Sequence, residues 1–169
     1  RVVVEPALSC EVREISSPCK PCSSGNYANC ERLSEGNIGI GLQTGYCKDT
    51  GGGWGAELIA HEKQLYKVPP QVPTSVAVLT EPLSCAIHGV FQAKIQKGDT
   101  ILIIGCGSLG LLSILSIKAF APSCTIIAMA KHSHQMDLAW KFGADYIVNS
   151  GETSYSELSK LTKAKLFPL

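Results

Sequence analysis

The sequence predicts a mixed α/β chain in two parts, and three observations carry that prediction. Residues 1 to about 80 are rich in Gly, Pro, Ser and Cys and hold only short strand-like runs. From Glu81 onward, apolar runs of strand length alternate with helical patterns in the order β-α-β-α-β-α. That order argues for a parallel sheet joined by right-handed crossovers. Four of the eight cysteines crowd into residues 10–30, a stretch too polar to build its own core. The expected division is therefore 1–80 and 81–169.

In the first part, candidate strands are residues 1–5, 56–59 and 64–67, separated by turn signals such as Gly51-Gly52-Gly53 and Pro69-Pro70. In the second part, a helical pattern runs over 81–93, with Pro82 in the first turn, where its missing N–H costs nothing. Gly98-Asp99 is a turn. Residues 100–104 form a continuous apolar run, as expected of a strand buried on both faces. A helix over 108–120 ends before Pro122, and 125–130 is a second apolar strand. A helix over 133–142 stops at Gly143, 146–149 is a third strand, and 155–163 a last helix. Three strands make half of a doubly wound sheet. The chain opens on Arg1 in mid-strand and closes on Pro168-Leu169 soon after its last helix, so both ends read as cuts in a longer chain.

With 45% hydrophobic and 17% charged residues, the chain is globular rather than disordered. Its net charge of +1 gives no basic field for nucleic acid. No stretch approaches the roughly 20 apolar residues that span a bilayer. The most apolar segment, 109–120, is broken by Ser113, Ser116 and Lys118, and no signal peptide opens the chain. Cys47, Cys85, Cys106 and Cys124 read as buried thiols in a reducing compartment, which predicts a cytoplasmic protein.

The strand at 101–104 runs into Gly105-Cys106-Gly107-Ser108-Leu109-Gly110, and a helix follows. This is G-x-G-x-x-G in the strand–turn–helix context that binds a dinucleotide. Gly105 permits the tight turn, Gly107 lets backbone approach a pyrophosphate, and Gly110 lets the helix pack close to the strand. The helix start, with Ser108 and Leu109, offers free N–H groups to the phosphates. The second strand of such a unit normally ends in an acid that holds the ribose 2′-hydroxyl. Here it ends Ala130-Lys131-His132, with Asp137 only later, inside the helix. Lys131 and His132 suit a 2′-phosphate, which favours NADP over NAD.

The cysteine spacing is Cys10-x8-Cys19-x2-Cys22-x7-Cys30. Four thiolates around one Zn²⁺ make a closed, structural site. Pro18 and Pro21 stiffen the central pair, and Gly25 lets the chain double back. Two disulfides, or a redox-active C-x-x-C, are the competing readings.

Taken together these residues resemble the medium-chain, zinc-dependent alcohol dehydrogenase superfamily over essentially the whole chain. The carriers are the strand Arg1 to Pro6, the four-cysteine lobe, Gly52-Gly53-Trp54-Gly55-Ala56-Glu57, and Glu81-Pro82-Leu83-Ser84-Cys85-Ala86-Ile87-His88, which is closest to the polyol and threonine dehydrogenase branches. Gly105 to Gly110 and Gly143-Ala144-Asp145 complete the match. One departure stands out: the family usually spaces its first two lobe cysteines two residues apart, and here eight intervene.

The resemblance implies part of a GroES-like β domain carrying the structural-zinc lobe, then the first half of a Rossmann domain. It implies hydride transfer between a small alcohol or carbonyl substrate and NADP or NAD, in a homo-oligomer. It implies that Glu81 lies at or beside a catalytic zinc whose other protein ligands, a Cys and a His, precede this chain. The 169 residues alone are then expected to be inactive. The alternative is a non-enzymatic zinc- and nucleotide-binding module.

Overall fold

The computed structural model of the chain describes residues 1–165, so the expected end at Pro168-Leu169 lies outside the described residues. The chain divides into two compact units, Arg1–Ala77 and Val78–Leu169.

The first unit has little regular structure. Strand β1 (Val2–Val4) pairs antiparallel with β2 (Leu65–Lys67), with Val3 opposite Tyr66. Two short helices, α1 (Lys20–Ser23) and α2 (Thr74–Ala77), complete its named elements beside two 3₁₀ turns. A modest apolar cluster of Leu8, Val12 and Cys47, with Ile38 packed on it, supplies one core. The four lobe cysteines, flanked by Ile15 and Leu33, supply another.

Because so few backbone groups lie in ladders, side chains must satisfy them singly. Gln64 is buried and its amide donates to the Glu5 carbonyl at 2.9 Å and to the Thr44 hydroxyl at 3.0 Å. Arg13 is fully buried. Its guanidinium donates to the carbonyls of Leu8 (3.1 Å), Glu35 (3.1 Å), Ile38 (2.9 Å), Gly39 (3.2 Å) and Gly41. No carboxylate pairs with it among the described residues. Converging carbonyl dipoles take the place of a counter-ion.

The second unit is a three-stranded parallel sheet in the order β3-β4-β5. Helix α3 (Thr80–Gln92) leads into β3 (Thr100–Ile104), followed by α4 (Ser108–Phe120), β4 (Thr125–Ala130), α5 (Ser133–Lys141), β5 (Tyr146–Asn149) and α6 (Ser154–Thr162). The register sets Leu102 opposite Ile127 and Ala128 opposite Ile147. Side chains alternate across the sheet. Ile101, Ile103, Ile126 and Ala128 pack with Ile114, Ile117 and Ala139 on one face. Ile127 and Val148 pack with Leu158 on the other. The second face of β3 is open, with Leu102 40% and Ile104 75% exposed. Asp145, just before β5, accepts from the Ile126 amide at 2.7 Å and from Lys118 at 3.1 Å, which pins that end of the sheet.

The strands at 100–104, 125–130 and 146–149 fall where the sequence places them. The first strand is shorter than 1–5, and residues 56–59 form none. Leu58 is 39% and Ile59 88% exposed, so that short run buries no face. Cys85 also departs from expectation. It is exposed, because α3 turns Ala86 and Val90 inward.

Replacing Arg13 with Met keeps an unbranched side chain of similar reach but removes the donor shared by five carbonyl groups, one buried and four partly buried. Loss of charged hydrogen bonds of this kind costs on the order of 3 kcal/mol. Urea unfolding at fixed zinc concentration should show that loss for Arg13→Met; an unchanged midpoint would remove the guanidinium from the folding argument.

Candidate functional site

The first unit brings together Cys10, Cys19, Cys22 and Cys30, all buried, with their four sulfurs within 4.8 Å of one another. Local sequence explains the convergence. Cys10 opens a turn in which Arg13 N–H donates to the Ser9 carbonyl and Ile15 N–H to the Cys10 carbonyl. Cys19 caps α1, Pro21 sits in its first turn, and Cys22 lies within it. Gly25, at φ +78°, reverses the chain, and a 3₁₀ turn over Tyr27–Asn29 delivers Cys30.

The Cys10 and Cys30 sulfurs are 3.8 Å apart. A disulfide requires about 2.05 Å. Tetrahedral zinc with Zn–S of about 2.3 Å requires sulfurs about 3.8 Å apart. The donor set therefore fits zinc, and all eight cysteines are unbridged. The backbone prepares the sulfurs for negative charge: Cys10 N–H points at the Cys22 sulfur (3.5 Å) and Cys19 N–H at the Cys10 sulfur (3.4 Å). The thiols differ in acidity. N–H groups of Glu31 and then Cys22 lower Cys19 to about 7, whereas burial pushes Cys22 up to about 12 and raises Cys30.

In the second unit the glycine corner joins β3 to α4. The three glycines meet different constraints. Gly105 has φ +92°, a left-handed conformation that side chains resist. A Cβ on Gly110 would lie 2.0 Å from the Gly105 carbonyl oxygen, so the helix could not pack as it does. A Cβ on Gly107 would meet nothing within 4 Å. No side chain caps α4, and Gly107, Ser108 and Leu109 are exposed. The free N–H groups of its first turn thus open on solvent, as an anion site at a helix start requires.

Lys131 and His132 follow β4 at the same, C-terminal edge of the sheet and are exposed. His132 caps α5, and its ring stacks on His134 with centroids 5.7 Å apart. Asp137 is exposed on α5. No acid stands at the end of β4, so the charges next to that edge are basic.

Glu81 lies in the first turn of α3, exposed, and its carboxylate accepts a 3.5 Å contact from the Cys85 thiol. Among the described residues, the four cysteines are the one group of three or more His, Cys, Asp or Glu side chains close enough to share an ion. Glu81 belongs to no such group among the described residues. Two features of this geometry carry no sequence signal. Arg13 reads as an ordinary surface charge, and the Glu81–Cys85 contact follows only once α3 is phased.

Comparison with known proteins gives a consistent picture. No family model matches the chain. Over 161 residues it is 31% identical to an erythritol/L-threitol dehydrogenase of Mycolicibacterium smegmatis, covering 95% of this chain and 40% of that protein. It is 27% identical over 168 residues to an uncharacterized zinc-type alcohol dehydrogenase-like protein of Haemophilus influenzae, covering 98% and 44%. Among solved structures, a short chain alcohol dehydrogenase of Escherichia coli CFT073 complexed with NADH superposes with a TM-score of 0.70 at 25% identity, covering 98% and 44%. The chain spans about 40% of the length of the curated relatives it matches.

In the metal-free lobe, thiolate fraction sets alkylation rate. Iodoacetamide at pH 7.5 should label Cys19 before Cys22 or Cys30, as read by peptide mass mapping. The Cys19 rate should climb with pH and level off above about 7. Equal labelling of all three would contradict the assigned acidities.

Proposed function

We propose that this chain, which belongs to the medium-chain, zinc-type alcohol dehydrogenase superfamily, supplies the structural-zinc lobe and the dinucleotide-phosphate corner of an enzyme that moves hydride between an alcohol and a nicotinamide. In this reading residues 1–80 are part of a GroES-like domain, and residues 81–169 are the first half of a Rossmann domain. The observation that carries it is the contrast at the corner. Gly110 is closed against the Gly105 carbonyl while Gly107 stands open beside uncapped helix N–H groups.

Each residue then has a task. Cys10, Cys19, Cys22 and Cys30 hold one structural zinc, which ties together a segment with little core of its own. Gly105 turns the chain, Gly107 admits the pyrophosphate, and the N–H groups of Ser108, Leu109 and Gly110 meet its oxygens. Lys131 and His132 receive a ribose 2′-phosphate, so the cofactor is NADP in preference to NAD. Glu81 stands at the catalytic centre, and the positive end of α3 favours its ionised form. A catalytic zinc, where bound, polarises the substrate oxygen. The single Glu81 carboxylate would hold it only together with ligands from elsewhere in the longer protein. The substrate class is a small alcohol or its carbonyl partner, with polyols favoured by the relatives' names.

Metal analysis of the purified chain should give about one zinc, lost in the Cys19→Ser/Cys22→Ser double variant. Calorimetry should give tighter binding of NADPH than of NADH. Lys131→Ala should weaken NADPH roughly tenfold, about 1.4 kcal/mol, and leave NADH nearly unchanged. Gly107→Val should abolish binding of both while keeping the native circular dichroism. Normal binding by Gly107→Val would sink the corner as a phosphate site.

A further inference from the structure

Beside the cysteine lobe lies a cavity of about 290 Å³ that contains neither the glycine corner nor Glu81. Glu11, Ile15, Ser16 and Pro18, from the eight-residue segment between Cys10 and Cys19, line it together with Ser9, Tyr27 and Cys22. Cys22 is only 8% exposed, and Cys19 is 9% exposed, so surface area does not separate the two. The cavity does: among the four lobe cysteines it is lined by Cys22 alone.

We propose that Cys22 is a thiol–disulfide exchange site, reached through this cavity by small-molecule disulfides, and that attack there releases the lobe's zinc. The inference rests on the zinc reading above. With zinc bound, all four sulfurs are thiolates, so access rather than acidity selects the one that reacts. The volume sits at the small end of ligand pockets, which suits a reagent of a few heavy atoms per arm. Ile15, Pro18 and Tyr27 offer it apolar contact.

The chemistry balances with the disulfide as oxidant. The Cys22 thiolate attacks one sulfur of R–S–S–R, forming a Cys22–S–S–R bond and expelling R–S⁻. Zinc, left with three thiolates, is held less tightly. A second lobe thiolate, none of which lies beyond 4.8 Å, attacks the Cys22 sulfur and expels the other R–S⁻. Two protein thiolates are oxidised to one disulfide, the reagent is reduced to two thiolates, and Zn²⁺ leaves.

The test uses the zinc-loaded 169-residue chain and cystamine, with zinc release followed by a chromophoric chelator and early adducts located by peptide mass mapping. The first adduct should be on Cys22. Ser16→Phe, an exposed wall position, should keep one zinc per chain yet slow release at least fivefold. The same variant should leave zinc removal by excess EDTA unchanged. A first adduct on Cys10, Cys19 or Cys30 overturns the proposal, and so does a Ser16→Phe rate equal to wild type. If Ser16→Phe fails to fold, the adduct map of the wild-type chain decides alone. A wild-type chain that binds no zinc sinks the metal reading and this inference together. Zinc bound but released through another cysteine sinks the inference only.

Discussion

Between residues 5 and 50 the chain has almost no repeating hydrogen-bond ladder, and that scarcity governs how the first unit holds together. A backbone group buried without a partner costs about as much as a lost hydrogen bond. The segment answers with point-like groups that each serve several backbone groups. The Arg13 guanidinium gathers five carbonyls, the Gln64 amide bridges the Glu5 carbonyl to the Thr44 hydroxyl, and the sulfurs of Cys10 and Cys22 accept N–H groups. A buried cation is normally costly. Here five carbonyl oxygens solvate it, which offsets part of that cost. Gly36 and Gly41 are part of the same solution: a Cβ on Gly36 would meet the Arg13 carbonyl oxygen at 2.3 Å, and one on Gly41 would meet Cys47 at 2.6 Å.

The second unit works on the opposite principle, and this explains which half could be read from sequence. Its central strand is apolar and mostly buried, so the run Thr-Ile-Ile-Ala-Met-Ala has one stable place to go, and β4 lies there. Gly or Pro punctuates most changes of element, at Gly98, Gly105, Pro122, Gly143 and Gly151. In the first unit the informative contacts are between residues far apart in sequence, and no local pattern encodes them. Residues 56–59 read as a strand-like run yet form no strand, because strand pairing is decided by a neighbour, not by the run itself. Cys85 fails for a smaller reason. Its neighbours are apolar, but helix phase sets Ala86 and Val90 inward and leaves Cys85 outside.

The glycine corner shows how one motif contains three unlike constraints. Gly105 is required by dihedral angle and Gly110 by contact, and both are needs of the folded chain itself. Gly107 answers to neither, since nothing lies within 4 Å of the place its Cβ would occupy. The proposed phosphate site uses that open space beside the uncapped N–H groups of α4. The basic edge after β4 matters for the same reason. In the proposed reading Lys131 and His132 stand where an acid would otherwise meet the ribose.

The eight residues between Cys10 and Cys19 are where this chain departs from the two-residue spacing usual in its family, and the physics of the departure can be followed. Lengthening a loop from two to eight residues is two doublings, which costs about 1.2 kcal/mol of closure entropy. The segment offsets that cost by burying Val12 and Arg13 and half-burying Ile15 against the cysteines. Both its ends are pinned by sulfur, Cys10 N–H to the Cys22 sulfur and Cys19 N–H to the Cys10 sulfur, so the lengthening does not disturb the ligand geometry. What it changes is the surroundings of the metal. One residue of the segment donates to four carbonyls of the following loop, and four others line a cavity that Cys22 also lines. A two-residue link could supply neither the buried cation nor the wall. The intervening residues thus keep the four sulfurs within 4.8 Å of one another while adding a cavity beside Cys22.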